Sequence, residues 1–123
     1  MYQKIIIIGN LGADPAMKFT PDGKAVANFS VATSRKYKDT DETTWFRVST
    51  WDKQAEACNQ YLRKGSKVFV TGRLVPDKAT GSPRTFQRDD GTWGASFEIV
   101  ASEVKFLDSK PEATRPDDDY VPF

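Results

Sequence analysis

The residues of this 123-residue chain that could do chemistry are rings set beside cations. In Thr44–Trp51, TWFRVSTW, alternation places Phe46, Val48 and Thr50 on one strand face and Trp45, Arg47, Ser49 and Trp51 on the other. A half-buried strand needs one apolar face, which Phe46 and Val48 supply, so two tryptophans flanking an arginine remain on the side that should be wet. The same pairing recurs on either side. Tyr37 stands among Arg35, Lys36 and Lys38, Phe86 lies between Arg84 and Arg88 with Trp93 beyond, and Arg73 alternates outward on another extended run. Flat rings interleaved with positive charge suit a ligand that carries both flat groups and negative charge.

Other chemistries are poorly provided for. The chain has no histidine and a single cysteine, Cys58, which excludes an internal disulfide, the usual zinc constellations and Ser-His or Cys-His catalysis. Its carboxylates are scattered through turn-like segments without catalytic pairing, so an enzyme is not expected and neither is a cofactor or a metal.

The elements that must position these rings are strands. Tyr2–Asn10 is a β-branched run whose four consecutive isoleucines predict cover on both faces, either from the same chain or from another subunit. Thr20-Pro21-Asp22-Gly23 is a turn by its chemistry. Ala25–Ser34 alternates, with Ala27, Phe29, Val31 and Thr33 inward and a small, mostly polar face of Val26, Asn28, Ser30, Ala32 and Ser34 outward. Arg35–Thr43 is predicted to be a charged loop. After Trp51, Asp52 is a candidate N-cap for a short helix carrying Ala55, Cys58 and Leu62 inward, closed by Gly65, with Arg63 and Lys64 in its last turn.

Lys67–Val75 is the next strand, with Val68, Val70 and Leu74 inward, Lys67, Phe69, Thr71 and Arg73 outward, and Gly72 permitting a bend. A long hairpin follows, with Phe86 on one arm and Trp93 on the other. Ala95–Leu107 closes the sheet, and Ser102-Glu103 interrupts its alternation as a bulge would. Five strands with one helix between the third and fourth is the order of an OB-fold, an all-β barrel.

The chain divides by composition into residues 1–107, the barrel, and residues 108–123, a tail expected to be disordered. Net charge is only +1, but the first part holds 16 Lys and Arg against 12 Asp and Glu, and the second holds 2 against 5. A basic body thus precedes an acidic tail, which ends on Asp117-Asp118-Asp119-Tyr120-Val121-Pro122-Phe123. No apolar run approaches the roughly 20 residues that cross a bilayer, and the start does not read as a signal peptide, so a cytoplasmic protein is expected.

Single-stranded nucleic acid answers the residue pattern, since bases offer faces for stacking and phosphates offer charge. Each stacked base contributes about 1 to 3 kcal/mol, so a few platforms suffice without reading sequence. The chain resembles the bacterial single-stranded DNA-binding protein (SSB) family. The resemblance is carried by Ile8-Gly9-Asn10-Leu11-Gly12 with Asp14-Pro15, Ala32-Thr33-Ser34, Thr44-Trp45-Phe46-Arg47-Val48, Tyr61-Leu62-Arg63-Lys64-Gly65-Ser66 and the DDDYVPF terminus.

It implies a homotetramer that binds and protects single-stranded DNA during replication, recombination and repair, associated with the nucleoid. It also implies base stacking at Tyr37, Trp45 and Trp51, with Phe86 as a fourth match, and a terminal Pro-Phe that docks replication and repair proteins. Tyr37 stands where the family commonly has tryptophan. The alternatives are an OB protein that binds or chaperones RNA and a structural OB module that binds protein or sugar, with the tryptophans packed in a subunit contact.

Overall fold

In the computed structural model, residues 1–107 are described. The terminal segment expected to be disordered, including Asp117, Asp118, Asp119, Tyr120, Val121, Pro122 and Phe123, lies outside the described residues. Seven strands and one helix follow in order: β1 Ile5–Leu11, β2 Ala16–Phe19, β3 Ala25–Tyr37, β4 Thr40–Trp51, α1 Asp52–Tyr61, β5 Lys67–Leu74, β6 Arg84–Gln87 and β7 Trp93–Phe106. Five of the strands close on themselves in the order β1, β5, β7, β4, β3 and back to β1, where Asn10 and Leu11 pair with Ala32 and Val31. This is the expected five-stranded OB barrel, with its helix between the third and fourth barrel strands. The pairing of β4 with β7 is parallel; the other neighbours are antiparallel.

The two extra strands are short arms. β2, absent from the sequence reading, returns through the Thr20–Gly23 turn to pair with β3, and β6 pairs only with β7. The predicted loop over 35–43 is instead a continuous hairpin. β3 runs to Tyr37 and β4 begins at Thr40, joined by Lys38 and Asp39 at φ 47° and 64°. Two left-handed residues give the turn a twist that matches its strands, which a charge-rich composition conceals.

Ile7, Leu11, Phe29, Val31, Val48, Cys58, Leu62, Val68, Val70 and Ile99 form the core, and Ala55 packs with Ala25 and Ala27 beside it. The helix thus closes one end of the barrel through the three inward residues its spacing predicted. Asp52 is not its N-cap. Trp51 holds that position, and Asp52 opens the helix at φ 58°, a left-handed conformation that aspartate tolerates better than most residues. Arg63 and Lys64 lie beyond the last turn, yet the Arg63 guanidinium still donates to the carbonyls of Asn59 and Leu62 at 3.1 and 2.7 Å.

On β5 two burials depart from the expected pattern: Thr71 is buried and Leu74, the last residue of the strand, is exposed. The alternation itself holds, since Thr71 pairs with the exposed Ile6 and Glu103 and Leu74 with the buried Ile99. The irregularity lies on β7: Thr71 pairs with Glu103 but Gly72 pairs with Ala101, leaving Ser102 as the extra residue, its hydroxyl donating to the Thr71 carbonyl at 3.0 Å. A Cβ on Gly72 would lie 2.1 Å from the Val100 carbonyl oxygen, so the bend requires glycine. The expected cover over both faces of the isoleucine run is also not met within the chain. Ile7 faces the core, but Ile6 and Ile8 remain about half exposed.

Candidate nucleic-acid interface

β4 carries the site because it is held on both sides. Its partners Val26 to Tyr37 on β3 and Phe97 to Val100 on β7 leave one face to the core and one to solvent. Val48 and Thr50 are fully buried, with the Thr50 hydroxyl donating to the Ala27 carbonyl at 3.0 Å. Phe46 is partly buried against that core and meets Phe97 at 5.9 Å between ring centres. Trp45 and Trp51, on the other face, are 52% and 40% exposed. Six residues of extended chain separate them by about 20 Å.

The neighbours of this face are small. Trp45, Arg47, Ser49 and Trp51 lie opposite Ala32, Ser30, Asn28 and Val26, and the Ser49 hydroxyl donates to Asn28 Oδ1 at 2.7 Å. An open groove of about 450 Å³ results, lined by Ser30, Trp45, Arg47, Arg84, Phe86 and Ser96 among others. The ring of Trp45 is seated on Gly12: a Cβ at Gly12 would lie 2.6 Å from Cζ3 and 2.7 Å from Cη2 of the indole. Sequence reasoning did not find Gly12 as part of the site. Its only signal was a place in the Gly9-Asn10-Leu11-Gly12 run, which looked like the end of a strand.

Across the groove, Phe86 on the β6 arm lies opposite Gly94 of β7 and covers it, since a Cβ there would lie 2.8 Å from the ring. The Arg88 guanidinium rests against the same glycine and sits 5.5 Å from the Phe86 ring centre. Its Nη1 donates to the Trp93 carbonyl at 2.8 Å and to the Thr92 hydroxyl at 3.5 Å. Arg84 lies 3.6 Å from Glu98, whose Oε2 also accepts from the Ser96 hydroxyl at 2.9 Å. Glu98 also stands in register with Arg47 of β4.

Not every predicted residue comes to this groove. Tyr37 sits at the hairpin tip with Arg35 and Lys38 at 5.6 and 5.4 Å from its ring. By strand alternation it shares the face of Arg35, whereas Lys36 shares the face of Trp45. The ribbon projects past the barrel here, so both faces are wet. Trp93 is 67% exposed but pairs with Gln87, one residue out of phase with Phe86, and so occupies the reverse face of the arm. Arg73 lies on the outer surface of β5 in a separate depression.

Beneath β4, burial pushes the Cys58 thiol up to about 11 despite an opposing hydrogen bond from Thr50. That fits a packed, unreactive thiol. At the outer end of the arm, the Thr92 hydroxyl and N–H hold the Asp90 carboxyl below its usual range. Among the described residues, no helix is long and apolar enough to cross a membrane.

Comparison with known proteins agrees with this geometry. The family model described as the Single-strand binding protein family matches residues 2–107. The single-stranded DNA-binding protein of Neisseria meningitidis serogroup A is 39% identical over 114 residues, covering 89% of this chain and 62% of that protein. The single-stranded DNA-binding protein of Xanthomonas axonopodis pv. citri is 41% identical over 114 residues, covering 89% and 59%. Single-stranded DNA-binding protein 1 of Chlorobaculum tepidum is 36% identical over 115 residues, covering 87% and 65%. The chain therefore spans about three fifths of the length of the curated relatives it matches. With a family match over nearly all the described residues and the barrel order to accompany it, the chain belongs to the Single-strand binding protein family.

Proposed function

We propose that residues 1–107 bind single-stranded DNA without reading its sequence, stacking bases on Trp45, Trp51, Phe86 and Tyr37. Phosphates are met by Arg47 and Arg84 and by the hairpin cations Arg35, Lys36 and Lys38. The observation that carries this reading is the outer face of β4, where two exposed indoles flank an arginine over a row of small residues. Stacking is the larger contribution, at about 1 to 3 kcal/mol per base, because every base has a face to offer. The names of the relatives support DNA as the polymer.

Two finer statements belong to the same proposal. The half-exposed Ile6 and Ile8 form an apolar strip that a second subunit would cover, consistent with a homotetramer. Residues 117–123, at the end of the 108–123 tail, serve as a partner-binding peptide for replication, recombination and repair proteins, with the Phe123 ring in an apolar pocket of the partner and its carboxylate on a basic side chain there. Deleting Phe123 is expected to leave DNA affinity intact or slightly raised while abolishing partner capture; unchanged capture refutes the tail's role.

Tryptophan fluorescence tests the main reading. Strong quenching by oligo-dT is expected, with weaker effects of oligo-rU and duplex DNA. No change with any of the three sinks nucleic-acid binding, and a preference for oligo-rU replaces DNA by RNA as the ligand.

A further inference from the structure

We propose that the bound strand leaves the β4 face past Trp51 toward the edge formed by β2, where Lys18 takes one of its phosphates. This rests on the reading of β4 as a single-stranded DNA surface. The first argument is register. Lys18 pairs with Val26 and Val26 pairs with Trp51, so the three side chains stand in one row on one face of the sheet. Two strand spacings, about 10 Å, separate Lys18 from Trp51. In the next row Ala16, Asn28 and Ser49 stand in the same order. The outer face of β4 therefore continues across β3 onto β2 and ends on a cation.

The second argument is which side of β2 is free. Met17 packs on Ala25, Ala27 and Ala55, which fixes Lys18, the next residue, on the opposite side. Lys18 is exposed, and among the described residues it makes no ion pair. β2 is the edge strand of the sheet. The apolar strip of Ile6 and Ile8 lies elsewhere, because β1 meets β3 at Ala32 and Val31 whereas Lys18 lies opposite Val26, about 20 Å from Ala32 along β3. A subunit seated on that strip is seated away from this edge.

The charges around the edge single out Lys18. From Lys18 to Trp45, the outward residues of β2, β3 and β4 include no carboxylate. Asp22, in the adjoining turn, accepts from the Thr20 hydroxyl and interacts with Lys24, and Asp52 has left the sheet as the first residue of α1. Arg47 lies on one side of Trp51 along β4, and Lys18 lies on the other across β3. A strand passing over the second indole thus has positive charge both before and after the ring, and the small Val26 leaves the crossing open.

The test is Lys18→Gln in the full chain, alone and combined with Trp51→Ala or with Trp45→Ala. Each variant is titrated by fluorescence anisotropy across salt concentrations with oligo-dT of about 16 nucleotides, the upper end of what one such barrel covers. Lys18→Gln alone should lower the log–log salt slope by about 0.7, one phosphate contact. The same fall should persist beside Trp45→Ala and vanish beside Trp51→Ala, because loss of the second indole frees the strand at that end. An unchanged slope for Lys18→Gln overturns the contact. So does an equal fall in all three backgrounds, which would mark a general effect of charge. Trp45→Ala alone is the separate control: weaker binding is expected, and unweakened binding overturns the β4 reading itself.

Discussion

The outer face of β4 and the β6–β7 arm carry the same kinds of residue, an aromatic ring with an arginine two positions on, but they hold them differently. Trp45 and Arg47 stand on a strand paired on both sides and anchored by Val48 and Thr50 in the core. Phe86 and Arg88 stand on and just beyond a four-residue strand with one neighbour. At Gly12 the nearest atoms all belong to the Trp45 indole, and Arg47 stays exposed beside it, whereas Gly94 is shared by the Phe86 ring and the Arg88 guanidinium. Arg88 is further tied to the Trp93 carbonyl. An aromatic ring with an arginine two positions on thus becomes a rigid platform with an available charge in one place, and a supported ring with a committed charge in the other. Rigid groups lose less entropy on binding, so β4 should dominate affinity.

Removing the rings is the strongest way to break that comparison. Trp45→Ala is expected to weaken oligo-dT binding by about 10- to 100-fold, the loss of one stacked base, and Phe86→Ala by less, as read by anisotropy. Equal losses would show that the arm is as well ordered as the barrel. Next comes the seat. Gly12→Ala should displace the indole and lower affinity about fivefold, yet add nothing in a Trp45→Ala background, because contacting residues are not additive. An additive double variant would mean that Gly12 does not act through Trp45.

The arginines give a sharper contrast in a smaller effect. Arg47→Gln should reduce the log–log salt slope by about 0.7, one phosphate, while Arg88→Gln should leave the slope unchanged although affinity drops. A reduced slope for Arg88→Gln would free that charge for the ligand and erase the distinction. The smallest effect lies in the support beneath β4. The Cys58 thiol, ordinarily near 9.0, is raised to about 11 by burial, so the folded state keeps its proton where the unfolded state loses it. Stability is unaffected below pH 9.0 and falls as pH rises toward about 11, a decline that denaturant midpoints across this window should show and that Cys58→Ala should lack.

Within single strands, much of this was legible in the sequence. The two faces of Trp45–Trp51, the inward Ala55, Cys58 and Leu62, and the irregularity at Ser102 all follow from a period read over a few residues. The errors arise where neighbours decide. Ala16–Phe19 shows no strand pattern of its own and is extended because β3 pairs with it. Lys38-Asp39 forms a tight turn because the pairing of β3 with β4 continues to it. Thr71 is buried although its face is outward, and Leu74 is exposed at the end of β5, because burial depends on surroundings that alternation within one strand does not report.

The sequence by itself determined the all-β barrel order, the side of β4 that faces outward, and the types of residue that could meet a base and a phosphate. Only the tertiary structure decided which of those residues share a surface. It seated Trp45 on Gly12, set Phe86 across the groove, turned Trp93 to the reverse face and left Arg73 on the outer surface of β5. Alternation reports a face within one strand, whereas shared surfaces depend on register between strands far apart in the chain. That register is fixed by non-local hydrogen bonds, bulges and close glycine contacts that leave little local trace.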